Sequence, residues 1–225
     1  WHGLRMQSER PVIDGVPRPN RCLADFVSPK GSATPDYIGL FAVTAGIGTE
    51  KKEKQFLDDI GVGVAPYVVI VTDADLADAA GFSFPAILKT ARLGYDGKGQ
   101  IRCAYATDLA AAWDELGRVP CVLEQRLPLD RELSLVLART ADGRVACYPV
   151  SQNQHVHGIL DVSYTPANLP GTAPADAAEL CTYIAEELQF VGVMAVEMFV
   201  VGRDVLVNEL APRPHNSGHY TLDAC

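Results

Sequence analysis

Two apolar runs near the carboxyl end of the sequence constrain the fold more than any other feature. They cover residues 193–201 and 205–210, and Gly202 stands between them. Both runs are rich in valine, so they predict two antiparallel strands joined by a tight turn. One glutamate interrupts each run, Glu197 in the first and Glu209 in the second. The chain must therefore build a sheet that carries a carboxylate on each of two neighbouring strands.

These two glutamates predict a cation site. Carboxylates that face each other on adjacent strands repel unless a cation lies between them. Oxygen ligands favour Mg²⁺, which normally also contacts substrate phosphates. Asn208 is a further oxygen donor beside Glu209, although strand alternation directs its side chain to the opposite face. The alternative is that both glutamates lie on a solvent-facing side of the sheet.

The remaining pattern predicts an α+β fold with antiparallel hairpins, and it lacks the regular strand–helix alternation of a doubly wound sheet. Prolines break up residues 1–48, which are expected to be extended or poorly ordered, with a strand-like stretch only at 37–43. Thr107 is an expected helix N-cap. Helices are predicted at 50–60, 73–80, 107–117 and 173–188, and strands at 64–71, 84–90, 101–105, 121–124, 132–139 and 145–150.

Charge and cysteine usage limit the classes of function. Nineteen Lys and Arg residues against 28 Asp and Glu residues give a net charge of −9, so nucleic-acid binding would need a local basic patch. No stretch approaches 18 apolar residues, and the first residues lack the apolar core of a signal peptide, so neither a membrane partner nor secretion is expected. The six cysteines are expected to be buried thiols of a cytoplasmic protein, with a disulfide framework or a zinc site as the minority alternative.

A lysine and a glycine-rich loop predict an anion site. Lys89 lies in an apolar, strand-like run, where an unpaired charge is costly. Three glycines follow within residues 94–99, and glycines let backbone N–H groups close around an anion. The spacing matches neither the P-loop nor the G-x-G-x-x-G fingerprint. The alternative is a solvated lysine at a strand end followed by an ordinary hairpin.

Further polar groups stand where strands begin or end. Glu124 ends one apolar run and Glu132 begins another, and a carboxylate there could accept a hydrogen bond from a ribose hydroxyl or an amino group. Solvated strand ends are the alternative for both. His155 and His157 fall in residues 152–158, a stretch interpreted as a loop, where a histidine is more often a surface residue than a functional one.

The polar run at 211–219 follows the second glutamate strand directly. Arg213 could bind a phosphate through two parallel hydrogen bonds, and His215 and His219 could donate hydrogen bonds. Five histidines in the chain raise the idea of zinc, but the paired carboxylates and the lack of an H-E-x-x-H motif argue against it.

Together these motifs resemble the N5-carboxyaminoimidazole ribonucleotide synthases, a family of ATP-grasp enzymes in purine biosynthesis. The resemblance runs from about Glu50 to Cys225. It implies an ATP-grasp fold with a small α+β lid subdomain over 49–123 and a larger antiparallel-sheet subdomain over 124–225. Family members begin with a Rossmann-like domain, for which residues 1–48 are too short, and continue beyond the position of Cys225. The motifs are PAILKT (85–90), GYDGKGQ (94–100), YPV (148–150), GILD (158–161) and NELAPRPHNSGHYT (208–221).

The resemblance also implies roles for individual residues. ATP would be bound by Lys89, the loop residues Gly94, Tyr95, Asp96, Gly97, Lys98, Gly99 and Gln100, the adenine-pocket residues Glu124, Gln125, Arg126 and Leu127, the ribose contact Glu132, and His155. Mg²⁺ would be bound by Glu197 and Glu209, with Asn208 beside them. Aminoimidazole ribonucleotide would face Tyr95, Arg213, His215 and Asn216, and the catalytic residues would be Lys98 and Arg213.

The implied reaction is the ATP-dependent carboxylation of aminoimidazole ribonucleotide with bicarbonate. It would pass through carboxyphosphate and release ADP and phosphate. Phosphoryl transfer depends on positioning and charge neutralisation, which lysines, an arginine and Mg²⁺ can supply. The alternatives are a catalytically inert nucleotide-binding remnant and an ATP-grasp ligase with another acceptor, such as a formate-dependent transformylase. The family is commonly dimeric, so a homodimer is an expected assembly, and a fused polypeptide is a further alternative.

Overall fold

The computed structural model describes residues 49–91, 99–156, 159–171, 173–213 and 215–224, together with the backbone of two short strands. These strands, Val12–Ile13 (β1) and Val16–Pro17 (β2), pair antiparallel. Predictions for the rest of residues 1–48 and for residues 94–98 lie outside the described part of the chain. Two compact units follow, a small unit over Gly46–Leu129 with His157–Ile159, and a large unit over Asp130–Val156 and Leu160–Cys225.

The small unit is built on a four-stranded antiparallel sheet. Its strands lie in the order β3-β6-β4-β5. The strand predicted over 64–71 is shorter than expected and begins after Pro66, which has no N–H to donate. The elements are Glu50–Asp59 (α1), Tyr67–Ile70 (β3), Asp73–Asp78 (α2), Ala86–Thr90 (β4), Gln100–Cys103 (β5), Leu109–Glu115 (α3) and Cys121–Gln125 (β6).

A side-chain cap marks the start of α1, whereas α3 begins without one. The Thr49 hydroxyl accepts a hydrogen bond from the Lys52 N–H, and α1 starts at the next residue. The prediction that Thr107 is an N-cap is wrong, because a 3₁₀ turn over Ala106–Asp108 precedes α3. The carboxylate of that turn's last residue instead accepts from the backbone N–H of Tyr105, which satisfies a donor ahead of the helix.

The core of the small unit lies between its sheet and its helices. Trp113 on α3 is buried, and its indole N–H donates to the Val119 carbonyl at 2.8 Å. Burial of the indole with its one donor satisfied fixes α3 on the sheet without a polar penalty. The buried members of this core are Ile70, Ala79, Ala86, Leu88, Cys103, Leu109, Ala112, Trp113, Cys121 and Leu123.

The large unit is built on a second antiparallel sheet. Five strands follow the order β10-β9-β7-β11-β12, and β8 pairs with β7. The hairpin predicted around Gly202 is confirmed as β11 and β12. The elements are Arg131–Arg139 (β7), Val145–Cys147 (β8), Ser151–Val156 (β9), Ile159–Tyr164 (β10), Ala173–Glu187 (α4), Gly192–Val201 (β11), Asp204–Ala211 (β12) and Thr221–Ala224 (α5).

The register between β7 and β11 gives this sheet two different faces. Glu197 lies opposite Ser134, and Met198 lies opposite Leu133. Because side chains alternate between faces along a strand, Glu197 and Ser134 share one face with the core residues Val136, Ala138 and Ala195, and leucines and methionines lie on the other. Cys181 of α4 contacts Met198, with 3.8 Å between the sulfur atoms, so α4 packs on the apolar face. Glu197 and Ser134 therefore lie on the face of the sheet opposite to α4.

A β-bulge alters the hairpin near its polar residues. Glu197 pairs with Glu209, but Met198 pairs with Val207, so Asn208 is an extra residue on β12. An extra residue bends its strand and redirects the side chains beside it. The alternation that was expected to send Asn208 to the opposite face is therefore interrupted at that residue.

The thiols and helices of the described residues have two further features. Cys103, Cys121, Cys147 and Cys181 are free thiols. Burial raises the pKa of each, to about 11 for Cys121, so these thiols are protonated at neutral pH. In the described ranges, length and hydropathy together leave no helix fit to span a bilayer.

Candidate functional site

Glu197 and Glu209 form the centre of the candidate site in the large unit. They are directly opposed partners on β11 and β12. Glu197 is buried, with 9% of its surface exposed, whereas the Glu209 side chain is exposed. The alternative that both glutamates face solvent is therefore wrong for Glu197. A buried carboxylate beside a second one creates negative potential that a divalent cation can neutralise.

Three groups surround the Glu197 carboxylate. Ser217 donates its hydroxyl to Oε1 at 3.1 Å, and Asn208 donates its amide to Oε2 at 3.4 Å. The bulge brings Asn208 to this carboxylate. His215 Nδ1 lies 3.9 Å from Oε1, but this nitrogen accepts the Ser217 backbone N–H at 3.3 Å. Burial lowers the pKa of His215 despite the nearby Glu197 charge, so its imidazole is neutral at pH 7.

Arg213 and Glu209 form the exposed edge of this group. The guanidinium donates to Glu209 Oε1 at 3.0 Å, and both side chains are about half exposed. Such an exposed ion pair contributes little to stability. Asn216 lies in a 3₁₀ turn over Asn216–Gly218, and its side-chain oxygen accepts the Ser217 N–H at 2.9 Å.

Glu132 and His155 form a second pair in the large unit. His155 lies on β9 rather than in a loop, so the loop interpretation of residues 152–158 is wrong for it. Its Nδ1 is hydrogen-bonded to Glu132 Oε2. That hydrogen bond raises the pKa of His155 above its usual 6.5. His157 lies outside the described residues, and so does Pro214 within the polar run.

The small unit holds a cluster of four charged side chains, here called the lysine–glutamate cluster: Glu50, Lys54, Lys89 and Glu124. Lys89 Nζ lies 2.9 Å from Glu124 Oε1 and 3.4 Å from Glu50 Oε1. Lys54 forms an ion pair with the other oxygen, Glu124 Oε2. The Glu124 side chain is only 4% exposed and that of Lys54 only 1%. The alternative of solvated strand ends is therefore wrong for Glu124 and for Lys89.

Mutual pairing keeps Lys89 and Glu124 ionised. Burial raises the pKa of Glu124, but the charges of Lys89 and Lys54 outweigh it, so its pKa lies below the usual 4.5. Burial lowers the pKa of Lys89, and Glu124 and Glu50 outweigh this and raise it to about 12. For Glu50, burial wins over the two lysines and raises its pKa. Lys89 thus carries a permanent positive charge.

Lys54 and Glu50 are the two cluster members that sequence reasoning missed, and Lys54 is the more deeply buried of them. It belongs to α1, where the buried residues are Glu53, Lys54 and Leu57. A lysine on the same helical face as a buried leucine was the available signal, because spacing of three places side chains on one face. Its partner Glu124 is 70 positions away in the chain, and only the fold brings the two together.

Backbone N–H groups at and just after the end of β6 donate hydrogen bonds within the small unit. The Arg126 N–H donates to the Pro85 carbonyl and the Gln125 N–H to the Pro66 carbonyl, both at 2.9 Å. Gln100 begins β5, and Gly99, which directly precedes it, has a positive φ of 72°. The other predicted members of the glycine loop, Gly94, Tyr95, Asp96, Gly97 and Lys98, lie outside the described residues.

The donor set of the large unit fits Mg²⁺ in its chemistry. It consists of oxygen atoms from Glu197, Glu209 and Asn208, which hard cations prefer. Within the residues that the structure describes, no group of three or more His, Cys, Asp or Glu side chains could hold a metal ion. Two carboxylates alone match Mg²⁺, which usually takes one or two carboxylates and completes its shell with water and phosphate.

Comparison with known proteins defines the class. The sequence profile of the ATP-grasp domain matches residues 55–225, about three quarters of the chain, and the chain therefore belongs to the ATP-grasp family. The α+β fold with antiparallel sheets that was expected for this family is confirmed. A second profile, the activation domain of vitamin B12 dependent methionine synthase, matches residues 1–90, which is less than half of the chain, and overlaps the first over 55–90.

Several curated relatives within that class are N5-carboxyaminoimidazole ribonucleotide synthases. The Bacillus subtilis protein is 42% identical over 193 residues, which are 85% of this chain and 50% of the relative. The Vibrio cholerae protein is 37% identical over 233 residues and aligns with 98% of this chain and 59% of its own length. The resemblance therefore extends into the first 48 residues. The chain spans about half the length of the curated relatives that it matches.

Solved structures give the same result. The N5-carboxyaminoimidazole synthetase of Staphylococcus aureus complexed with ADP has a TM-score of 0.72 and 33% identity, and the match covers 78% of this chain and 47% of that one. The Aspergillus clavatus synthase, in complex with ADP and 5-aminoimidazole ribonucleotide, has a TM-score of 0.70 and 27% identity, with 80% and 50% covered. The expected resemblance to this group of enzymes is confirmed.

Proposed function

We propose that the protein catalyses the ATP-dependent carboxylation of 5-aminoimidazole ribonucleotide with bicarbonate. The products would be N5-carboxyaminoimidazole ribonucleotide, ADP and phosphate. The observation that carries the proposal is the opposed pair Glu197 and Glu209, with Asn208 brought beside them and Arg213 at the edge. The names of the relatives, and the ADP and aminoimidazole ribonucleotide bound by the Aspergillus clavatus enzyme, support the choice of substrates.

The carboxylate pair of the large unit would hold Mg²⁺. The ion would neutralise charge on the ATP phosphates. Glu197 is oriented for this role, because Ser217 and Asn208 each donate a hydrogen bond to one of its oxygens. Glu209 accepts a hydrogen bond from the exposed Arg213 guanidinium. Its carboxylate can turn toward a cation without leaving a buried charge unpaired.

Lys89 would contact the ATP phosphates. Its permanent charge and its 2.9 Å contact to Glu124 give it a defined starting position. Bicarbonate oxygen would attack the γ-phosphorus, and the bond to the ADP oxygen would break. The amino nitrogen of the ribonucleotide would then attack the carboxyl carbon and release phosphate, losing a proton. Arg213 would bind the ribonucleotide phosphate, for which a guanidinium fork is suited.

The remaining roles taken from the resemblance belong to the same proposal. Glu132, held by His155, would accept from the ribose hydroxyls, and the backbone after β6 would face adenine. His215 and Asn216 would face the ribonucleotide, with the neutral His215 imidazole as a hydrogen-bonding group. Four expectations remain predictions: the division into a lid over 49–123 and a larger subdomain over 124–225, the catalytic use of Lys98, a homodimer and a cytoplasmic location.

The decisive experiment measures ADP release by the 225-residue chain with ATP, Mg²⁺ and bicarbonate, with and without aminoimidazole ribonucleotide. Release that depends on the ribonucleotide is expected. Glu209→Gln should lower the rate of ADP release on the order of a hundredfold or more, because the Mg²⁺ that neutralises the phosphate charge would lose a carboxylate ligand. Glu187→Gln, an exposed glutamate at the end of α4, is the matched control and should retain activity.

Three results would contradict the proposal. ADP release that is independent of the ribonucleotide would indicate another acceptor. A rise in melting temperature with ATP but no ADP release under any condition would indicate a nucleotide-binding chain without turnover, because ligand that binds only the folded form must stabilise it. Normal turnover by Glu209→Gln would remove the metal assignment.

A further inference from the structure

Lys54 carries a charge that the proposed reaction has not used. It projects from α1, its side chain is 1% exposed, and it forms an ion pair with Glu124 Oε2. The ring of Tyr67 lies 5.7 Å from its Nζ. Lysine is almost never fully buried unless its charge is paired. Burial of a lysine at this position is energetically costly. The role of Lys54 must therefore be sought in its effect on the other members of the lysine–glutamate cluster.

Glu124 divides its two oxygens between two lysines. Oε1 accepts from Lys89 at 2.9 Å, while Oε2 faces Lys54. Lys89 also lies 3.4 Å from Glu50, and its own side chain is 14% exposed. Of the two lysines, Lys89 is therefore the one with access to the surface. Lys54 is enclosed, so it can serve only groups inside the small unit.

The two glutamates differ in what happens when Lys89 turns toward a phosphate. The Glu50 side chain is 25% exposed, so water can solvate its carboxylate. Glu124 is nearly enclosed, and a buried carboxylate without a partner is strongly unfavourable. Lys54 stays in contact with Glu124 and supplies the counter-charge. Without Lys54, Glu124 would hold Lys89, and a phosphate would have to compete with it.

We propose that Lys54 is a positioning residue: it balances the charge of Glu124 and thereby leaves Lys89 available to a nucleotide phosphate. The inference rests on the proposed function, in which Lys89 contacts ATP. It concerns the phosphate-dependent part of nucleotide affinity, and it leaves the adenine contacts unchanged. A role in stability alone would affect adenosine and ATP equally.

The test compares the dissociation constants of adenosine and ATP, measured by calorimetry on the full chain with Mg²⁺ present. The dissociation constant of adenosine divided by that of ATP isolates the contribution of the phosphates to affinity. Lys54→Met should lower this ratio at least about tenfold, because a charge-assisted contact is worth roughly that factor. The double variant Lys54→Met/Glu124→Gln should recover the ratio, since Lys89 is no longer held. Lys52→Met, an exposed lysine on the same helix, should leave it unchanged.

The outcomes separate this inference from the proposed function. A ratio that Lys89→Met lowers but Lys54→Met does not would overturn the role of Lys54 alone. A ratio that Lys89→Met leaves unchanged would overturn both the phosphate contact and the inference. Should Lys54→Met fail to fold, Lys54→Arg and the double variant carry the test. Both should keep the ratio within about threefold of the original chain, and a tenfold loss in the double variant would refute the inference.

Discussion

Replacing Glu124 by glutamine should destabilise the small unit strongly while leaving its shape unchanged. The substitution removes the negative charge that pairs with Lys54 and Lys89. Lys89 keeps Glu50 at 3.4 Å, but Lys54 is left as an uncompensated buried charge. Removing one member of a buried ion pair costs roughly 3–5 kcal/mol. Glutamine retains a carbonyl acceptor for Lys54, so the expected loss in the free energy of unfolding is about 3 kcal/mol.

The assay is urea unfolding followed by tryptophan fluorescence. The sequence has two tryptophans, and Trp113 is buried in the core of the small unit. In a Trp1→Phe background the fluorescence reports on Trp113 alone. Glu115→Gln, an exposed glutamate on α3, is the matched control and should change the free energy of unfolding by less than about 0.5 kcal/mol. The double variant Glu124→Gln/Lys54→Met should regain most of the loss, because no unpaired charge remains.

The pH dependence of this loss has a definite sign. The pKa of Glu124 is lowered in the folded chain, so the stability that its ionised form contributes is present above its unfolded pKa of 4.5. The difference between the original chain and Glu124→Gln should therefore be constant above about pH 5.5 and shrink as the pH falls below 4.5. A loss smaller than 1 kcal/mol at pH 7, or a difference that grows on acidification, would refute the reasoning.

Two further predictions concern the turn before β5 and the pair on β9. Gly99→Ala should cost about 2 kcal/mol more than Gly117→Ala in urea unfolding. Both glycines have a positive φ, but a Cβ on Gly99 would lie 2.6 Å from the Thr90 hydroxyl, whereas Gly117 has open space around it; equal losses would rule out the clash. The raised pKa of His155 means that its bond to Glu132 stabilises the fold fully below pH 6.5. This contribution is lost as the pH rises through the folded pKa, so His155→Gln should destabilise the chain by roughly 1 kcal/mol at pH 5.5 and by less at pH 9. Unfolding curves at the two pH values test this, and a loss that is larger at pH 9 would contradict it.

Local patterns in the sequence were sufficient for much of the fold. The valine-rich runs around Gly202 predicted the β11–β12 hairpin, and the opposed positions of Glu197 and Glu209 followed from it. These features depend on neighbouring residues and on a turn of fixed length, which a sequence displays directly. The helix over Glu50–Asp59 was predicted for the same reason, since Gly61 follows it closely as a stop signal.

Features that depend on distant partners could not be predicted. The burial of Lys54 requires Glu124, which only the folding of the small unit brings to it. The place of Asn208 depends on a bulge, and strand alternation predicts the wrong side once one residue is added to one strand. His155 was assigned to a loop because its stretch lies between two predicted strands, yet this polar stretch forms β9, an inner strand of the antiparallel sheet.

The bulge at Asn208 makes the strand pairing of the hairpin less regular, but it also supplies a contact to Glu197. Without that residue the pairs Glu197–Glu209 and Met198–Val207 would be consecutive, and the ladder would be regular. A chain shortened by this one amino acid would therefore have a more conventional hairpin and would lack the amide that now reaches Glu197. Selection for a rigid hairpin alone would remove Asn208. The bulge therefore gives up regular strand pairing and keeps the amide contact with Glu197.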